Sequence, residues 1–282
     1  MSLIIASLNS GSNGNCYYIG NRQEAVLVDA GLTCRETENR LSNLGLVFQK
    51  IKAVFITHEH TDHTRGVEVI ARKYKIPVYI SVGTYNKSKL QIQGDLLRHF
   101  EAYAPVHFGA LSVNAFPKLH DASDPHSFTV TGNGVTIGVL TDLGSVCEHV
   151  IQNFGKCHAA FLEANYDDEM LDKGHYPLFL KDRIRSDHGH LSNHQSLELF
   201  TTHKSEFMSH LLLSHLSQDN NNPRLVEDLF VRHAGNTRIA IASRHKESRV
   251  YHITGEMSVN NQVVVPIPSV KPVQMSLFQD ND

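Results

Sequence analysis

The chain has 282 residues, with 26 Lys and Arg against 29 Asp and Glu, four Cys, no Trp and 19 His. This length suits one large domain or two small ones, and 41% hydrophobic with 20% charged residues is typical of globular proteins and excludes a disordered or fibrous chain. The formal net charge of -3 excludes a global basic field, so any nucleic-acid binding must use a local patch.

Short strands and helices alternate along the sequence. In chain order, the pattern predicts strands at 3–8, 16–19 and 25–29, a helix from 33 to about 45, a strand at 53–57, a helix at 67–74, strands at 76–81, 135–141 and 159–163, a helix at 196–204, a strand at 211–214, a helix at 223–233 and a strand at 238–243. Thr33 and Glu36 form a capping-box pattern at the start of the first helix. This alternation predicts a layered α/β domain over residues 1–260, followed by a Pro-punctuated tail at 261–282.

A cluster of histidines follows the strand at 53–57. His58 and His60 are two residues apart, so an extended backbone points both imidazoles the same way. Asp62 and His63 begin the turn into a helix and can face a second, adjacent point. Four such side chains within six residues suit two metal ions better than one. A His-rich polar loop and an isolated one-metal site are the alternatives, and the preceding strand and the Asp favour the metal motif.

These residues reproduce an HxHxDH motif, and with it the sequence resembles the metallo-β-lactamase superfamily. The resemblance implies a single-domain, four-layer αββα sandwich. It also implies further site residues at strand ends, with Asp29 orienting the site. The implied ligand set is His58, His60 and His120 on one metal, Asp62, His63 and His215 on the other, and Asp142 bridging the two.

Such a site has a clear chemistry. Two bridged divalent ions lower the pKa of a shared water towards neutrality, and they stabilise the charge that develops on a phosphate or carbonyl oxygen. The expected attacking species is a bridging hydroxide, which Asp62 orients or deprotonates. Because all the ligand atoms are N or O, the set accepts Zn, Mn or Fe, and the sequence does not choose among them.

Several positions separate the branches of this superfamily. Asp142 stands where the common zinc β-lactamases have Cys, and His60 stands where flavodiiron enzymes have Glu. The stretch from His120 to Phe128 lacks the form typical of thioester hydrolases and resembles ribonuclease-Z-like phosphodiesterases, with Ser127 in place of a Gly. Too few residues separate Asp142 from the last ligand for the cap domain of the RNA-cleaving β-CASP group. A phosphodiesterase is therefore the favoured class.

Four stretches narrow the resemblance to one group. Over residues 3 to about 255, the sequence resembles the bacterial YycJ/WalJ/VicX proteins, on the stretches 10–15, 163–167, 189–193 and 213–223. Members of that group are described as 5′→3′ exonucleases acting on double-stranded DNA. The resemblance therefore implies a DNA substrate and a role in replication or repair. The alternatives are a ribonuclease-Z-like or small-nucleotide phosphodiesterase and, in another class, a non-catalytic metal-containing protein associated with a clamp or with signalling.

A second catalytic candidate is His190, which precedes a helix that Ser192 and Gln195 cap. Free N–H groups at a helix start attract anions, so His190 is predicted to bind the scissile phosphate or to protonate the leaving alkoxide. A surface histidine beside a cap is the alternative. Basic residues at 173, 181, 183 and 185 could contact a DNA backbone, but acidic residues are interleaved with them and predict an ordinary solvated face equally well.

The tail carries one short motif, made of Gln274, Met275, Ser276, Leu277 and Phe278. It resembles the pentapeptide with which bacterial DNA-processing enzymes dock on the replicative sliding clamp. Chance similarity and a terminal strand folded onto the domain are the alternatives. No apolar run approaches the roughly 18 residues of a membrane span, the first residues lack a signal-peptide pattern, and the four Cys are scattered. We therefore expect a reduced, cytoplasmic protein that does not enter a membrane.

Overall fold

Two mixed β-sheets dominate the computed structural model, which describes residues 2–255. The strands of the first sheet are β1 (Ser2–Asn9), β2 (Cys16–Gly20), β3 (Ala25–Val28), β4 (Ile51–Phe55), β5 (Val78–Ile80), β6 (Leu97–His99) and β14 (Tyr251–Thr254). Their order across the sheet is β14-β1-β2-β3-β4-β5-β6. The strands from β3 to β6 pair in parallel, so their carboxyl ends meet at one edge of the sheet.

The second sheet also has seven strands within the described residues. They are β7 (Val106–Phe108), β8 (Leu111–Pro117), β9 (His126–Gly132), β10 (Val135–Leu140), β11 (Ala159–Glu163), β12 (His210–Ser214) and β13 (Arg238–Ile241). Their order is β13-β12-β11-β10-β9-β8-β7, and the strands from β10 to β13 pair in parallel. A second set of carboxyl ends therefore lies along an edge of this sheet.

Helices cover the outer face of each sheet. They are α1 (Cys34–Asn43), α2 (Thr61–Thr64), α3 (Val67–Tyr74), α4 (Val82–Lys87), α5 (Glu148–Phe154), α6 (Asp168–Lys173), α7 (Leu178–Arg185), α8 (Asn193–His203) and α9 (Pro223–Val231). Buried residues of α1 and α3 pack on the first sheet, and those of α5, α8 and α9 pack on the second. These five helices form the two outer layers because each buries an apolar face against a sheet.

The central core lies between the two sheets. Alternate residues of each strand point inward, and aromatic rings from opposite sheets meet there. The ring centroids of Tyr17 and Phe161 are 4.8 Å apart, and those of Phe55 and Phe128 are 5.5 Å apart. With the outer helices, this core confirms the predicted four-layer αββα sandwich.

Most predicted elements are present, and the structure adds several short ones. The capping box of α1 forms as predicted, with Thr33 accepting from the Glu36 N–H and Glu36 accepting from the Thr33 N–H. The sequence did not predict β6, β7, β8, β9 and β14 or the helices α4 to α7. Helix α8 begins three residues earlier than expected, at Asn193 behind its Ser192 cap.

Two predictions fall beyond the described residues. The boundary between domain and tail at residue 260, and the peptide from Gln274 to Phe278, both follow Gly255, where the description ends. Both stay predictions. Among residues 2–255, no helix has the length and apolar character needed to cross a bilayer.

Candidate metal centre

Three site residues stand in left-handed backbone turns directly behind strands. Asp29 follows β3, Asp142 follows β10 and His215 follows β12, with φ values of 60°, 56° and 56°. Such a conformation costs a residue with a side chain about 1–3 kcal/mol and persists only where the surroundings impose it. All three residues are buried at the edge where the parallel strands end. Three of the six non-glycine residues with positive φ within residues 2–255 thus lie at the predicted site.

The HxHxDH segment is held against the loops of the first sheet by backbone contacts. The Asn15 N–H donates to the Asp62 carbonyl at 2.7 Å, and the Ala30 N–H donates to the His63 carbonyl at 2.9 Å. Gly31 packs so closely that a Cβ there would lie 1.6 Å from the Asp62 carbonyl oxygen. A glycine at position 31 is therefore required by this close approach.

All seven predicted metal ligands meet at this edge. One ligand atom from each of His58, His60 and His120 can be chosen so that the three lie within 4.8 Å of one another, and the same holds for Asp62, His63 and His215. Asp142 forms a third group of this kind with His58 and His63. It also lies 3.4 Å from His215, measured from Oδ1 to Nδ1. The grouping expected for two ions with a carboxylate between them is therefore geometrically present.

One ring nitrogen of each buried histidine is fixed by a neighbour. His63 Nδ1 lies 2.7 Å from Asp29 Oδ2, and His58 Nδ1 lies 2.9 Å from Thr57 Oγ1. His120 Nδ1 donates to the Gly189 carbonyl at 3.0 Å. Metal-binding histidines characteristically use one nitrogen in this way and leave the other for the ion. Asp29 thus occupies the orienting position that the resemblance implied.

Unsatisfied atoms converge on the same region. His120 Nε2, His215 Nε2 and Asp142 Oδ2 are buried and make no hydrogen bond to any residue between 2 and 255. Buried polar atoms in native proteins are nearly always paired, so these three call for a further partner. Nitrogen and carboxylate oxygen are donors that first-row divalent ions accept. The residues therefore fit divalent metal ions.

The pKa shifts of the buried histidines also indicate that the site favours bound positive charge. Burial and the neighbouring His63 hold the pKa of His58 well below its usual value, and burial lowers the pKa of His120 to about 3. Burial alone would also lower the pKa of His215, but Asp142, Asp62 and Glu163 outweigh it and raise that pKa to about 10. The buried carboxylates are therefore stabilised by nearby positive charge. In the absence of metal, protons bound to histidines supply that charge.

Glu163, at the end of β11, is a site residue to which the sequence assigned no role. Its side chain is fully buried, with Oε1 lying 2.8 Å from His190 Nδ1 and 3.0 Å from His215 Nδ1. Its Oε2 accepts from the Leu143 N–H at 2.6 Å. Burial would raise the pKa of Glu163, but the two histidines lower it to about 2. The available signal was a carboxylate at the end of an apolar strand, the same signal that marked Asp142.

His190 lies at the mouth of the site. Its side chain is 22% exposed, and its ring centroid is 5.2 Å from those of His120 and His215. At the start of α8, three backbone N–H groups are already bonded within the protein. Ser192 N donates to the Gln195 side chain, Gln195 N donates to the Ser192 side chain, and Asn193 N donates to the Tyr166 carbonyl. The orientation of the His190 ring is fixed by its contact with Glu163.

Comparison with known proteins identifies the family. The Beta-lactamase superfamily domain matches residues 24–216. The chain is 35% identical over 228 residues to Exodeoxyribonuclease YycJ of Bacillus anthracis, covering 80% of this chain and 86% of that protein. It is 34% identical over 219 residues to Exodeoxyribonuclease WalJ of Streptococcus pneumoniae, covering 76% and 81%.

Solved structures agree on the fold. The metallo-β-lactamase fold protein YhfI from Bacillus subtilis superimposes with a TM-score of 0.68 at 14% identity, over 89% of this chain and 100% of that one. At this identity the likeness concerns the fold alone. Together with the sequence matches, it means that this chain belongs to the metallo-β-lactamase superfamily and, within it, to the YycJ/WalJ family.

Proposed function

We propose that this chain is a nuclease that hydrolyses phosphodiester bonds of DNA with two divalent metal ions, as a 5′→3′ exonuclease on double-stranded DNA. The observation that carries the proposal is the convergence of two three-residue ligand groups on either side of Asp142. The names of the relatives, both exodeoxyribonucleases, support DNA as the substrate and an exonucleolytic mode.

The proposed ligands are those expected from the sequence. His58, His60 and His120 would hold one ion, Asp62, His63 and His215 the other, and Asp142 would contact both. Bound there, the ions would supply a water of lowered pKa and positive charge beside the phosphate oxygens. The remaining chemistry belongs to side chains of this chain.

Asp62 is proposed to orient the attacking water and to accept its proton. Its carboxylate is only partly buried, and Oδ2 lies 3.2 Å from the Asn15 Nδ2 donor and 3.4 Å from His63 Nε2. Burial would raise the pKa of Asp62, but His63 and His215 favour the charged form and hold that pKa well below its usual value. A fixed, ionised carboxylate at the edge of the site suits the orienting part of this role, because it accepts a hydrogen bond from the water.

His190 is proposed to bind the scissile phosphate and to deliver a proton to the leaving alkoxide. Glu163 accepts from Nδ1, which leaves Nε2 for the substrate. A solvent-accessible histidine held against a buried carboxylate therefore fits the acid step.

One assay separates this function from its alternatives. Duplex DNA labelled at either the 5′ or the 3′ end, a tRNA precursor and bis(p-nitrophenyl) phosphate are incubated side by side with Mn or Zn. We expect mononucleotides to appear first from the 5′ end of the duplex. Preferred cleavage of the tRNA precursor would favour a ribonuclease-Z-like enzyme, and no turnover of any phosphodiester would favour a non-catalytic, metal-containing protein.

We further propose that the enzyme acts in replication or repair through the peptide at 274–278, beyond the described residues. In such a peptide, Leu277 and Phe278 would fill an apolar pocket of the sliding clamp and Gln274 would bond at its rim. In a pull-down with the sliding clamp, we expect the double variant Leu277→Ala/Phe278→Ala not to be recovered. The matched tail variant Val263→Ala/Val264→Ala should be recovered with the clamp as wild type is. Equal recovery of both would refute the docking role.

A further inference from the structure

A cleft of about 620 Å³ opens beside the metal centre, where β13 and β14 border the two sheets. We call it the basic cleft and define it by Ser10, Leu216, Ile239, Arg244, Lys246 and Arg249. The segment 242–250, which connects β13 to β14, supplies its three basic residues. None of the proposed metal ligands lines it, so it is a separate surface.

The basic cleft adjoins the loops that carry the metal centre. Ser10 Oγ accepts from the His215 N–H at 2.7 Å, and Leu216 is the next residue along the chain. On the opposite loop, Asn13 Nδ2 donates to the Arg244 carbonyl at 2.8 Å, two residues before Asn15 and its contact with Asp62. A strand bound at the metal centre could therefore continue directly into the cleft.

The basic side chains of the cleft outnumber its acidic ones. Arg244, Lys246 and Arg249 form no ion pair within residues 2–255, and Arg244 Nη1 is buried without a hydrogen-bond partner in that range. Glu227 is the acidic residue that lines the cleft. Three free cations on a chain of net charge -3 form a local field that attracts anions.

The other basic segment near the site is different. Its charges are neutralised by acidic neighbours, in the ion pairs Lys173–Glu169, Arg183–Asp121 and Arg185–Asp172. Lys181 donates to the Asp172 carbonyl. This supports the solvated-face interpretation for 173–185, and it leaves the basic cleft as the stronger candidate for contact with an anionic polymer.

Apolar surface lies beside the cations, contributed by Leu216, Ile239, Ile241 and Tyr251. A nucleic-acid strand binds cations through its phosphates, and it packs its sugars and bases on apolar and aromatic surface. The basic cleft offers both kinds of contact. We propose that the basic cleft binds the phosphodiester backbone of the substrate strand next to the scissile bond. This inference rests on the proposed function and names where that substrate is held.

The test compares two double variants of the full, metal-loaded chain. Lys246→Gln/Arg249→Gln removes two exposed charges from the cleft. The control, Lys52→Gln/Lys156→Gln, removes two exposed charges near the amino ends of β4 and β11, opposite the site. Binding of a fluorescein-labelled phosphorothioate duplex is followed by anisotropy at several salt concentrations, and hydrolysis of bis(p-nitrophenyl) phosphate reports on the metal centre.

The cleft variant is expected to bind the duplex about tenfold more weakly, with the slope of log K against log salt reduced by about 1.5. The control should match wild type, and both variants should keep their hydrolysis of bis(p-nitrophenyl) phosphate. Equal duplex affinity of all three proteins would overturn the proposal and leave the cleft to another occupant, such as an acidic peptide. If wild type cleaves no DNA, the proposed function fails, while the binding comparison still decides the role of the cleft.

Discussion

His190 Nδ1 lies 2.8 Å from Oε1 of Glu163, a fully buried carboxylate that also lies 3.0 Å from His215 Nδ1. One carboxylate thus orients a histidine at the mouth of the site and a histidine of the proposed ligand set. Because it holds Nδ1 of both rings, Nε2 of His190 remains for a substrate and Nε2 of His215 for an ion. Glu163 is therefore a positioning residue for two different functions.

Replacing this carboxylate should weaken both functions. We expect Glu163→Gln to lower kcat on duplex DNA and to weaken metal binding, each by about 10- to 100-fold, because the amide keeps the shape but loses the charge. Steady-state hydrolysis and metal titration measure the two effects. Glu169→Gln, at an exposed position on α6, serves as the control and should change neither. Normal metal affinity together with normal kcat in Glu163→Gln would contradict the positioning role.

The sequence revealed those parts of the site that are local or that match a known motif. His58, His60, Asp62 and His63 are recognisable because four ligands crowd into six residues. His120 and His215 were found through the family resemblance, since their proximity depends on how the two sheets pack. Periodicity alone carries no information about that packing.

The features that the sequence missed depend on tertiary contacts. Strands β6, β7 and β14 have only three or four residues, too few for a clear alternation, and they form because neighbouring strands pair with them. The side chain of Glu163 is functional only because His190 and His215 converge on it from distant segments. The capping box of α8 forms as predicted, and a completed box leaves fewer N–H groups for an anion.

Asp62 provides a direct test of the proposed reaction. Asp62→Asn should reduce hydrolysis of duplex DNA at least about a hundredfold, because the amide cannot accept a proton from water and is a poorer metal ligand. The control is Glu59→Gln in the same segment, where the carboxylate accepts from the Ser123 N–H instead of facing the ligand groups. Metal content and circular dichroism are measured in parallel. Full activity of metal-loaded Asp62→Asn would refute its catalytic role.

The metal-free protein should be most stable near pH 6.5. The pKa of His215 is raised from 6.5 to about 10, so its stabilising contribution is complete below pH 6.5 and is lost as the pH rises towards 10. The pKa of His120 is lowered from 6.5 to about 3 and that of Glu163 from 4.5 to about 2, so their contributions are lost as the pH falls through those ranges.

Urea unfolding in EDTA across this pH range measures the profile. In the variant His215→Gln, the free energy of unfolding should fall less steeply between pH 6.5 and pH 10. Bound metal should have the same effect, because it replaces the protons. Stability of the metal-free wild type that increases steadily from pH 7 to pH 10 would contradict the assigned direction for His215.

Gly31 couples the stability of the fold to the geometry of the metal centre. A Cβ at this position would lie 1.6 Å from the Asp62 carbonyl oxygen and 2.7 Å from the Asn15 backbone nitrogen, and neither backbone can move without displacing a ligand loop. We expect Gly31→Ala to lower the free energy of unfolding by about 3 kcal/mol and to weaken metal binding.

The matched control is Gly94→Ala, because no atom lies within 4 Å of a Cβ built there. Urea unfolding of both variants, with and without metal, gives the comparison, and Gly94→Ala should leave metal affinity unchanged. If Gly31→Ala bound metal as tightly as Gly94→Ala, the loop that carries Asp62 could move without displacing the proposed metal ligands. The close packing of residues 29–31 against the HxHxDH segment would then serve the fold alone and not the metal centre.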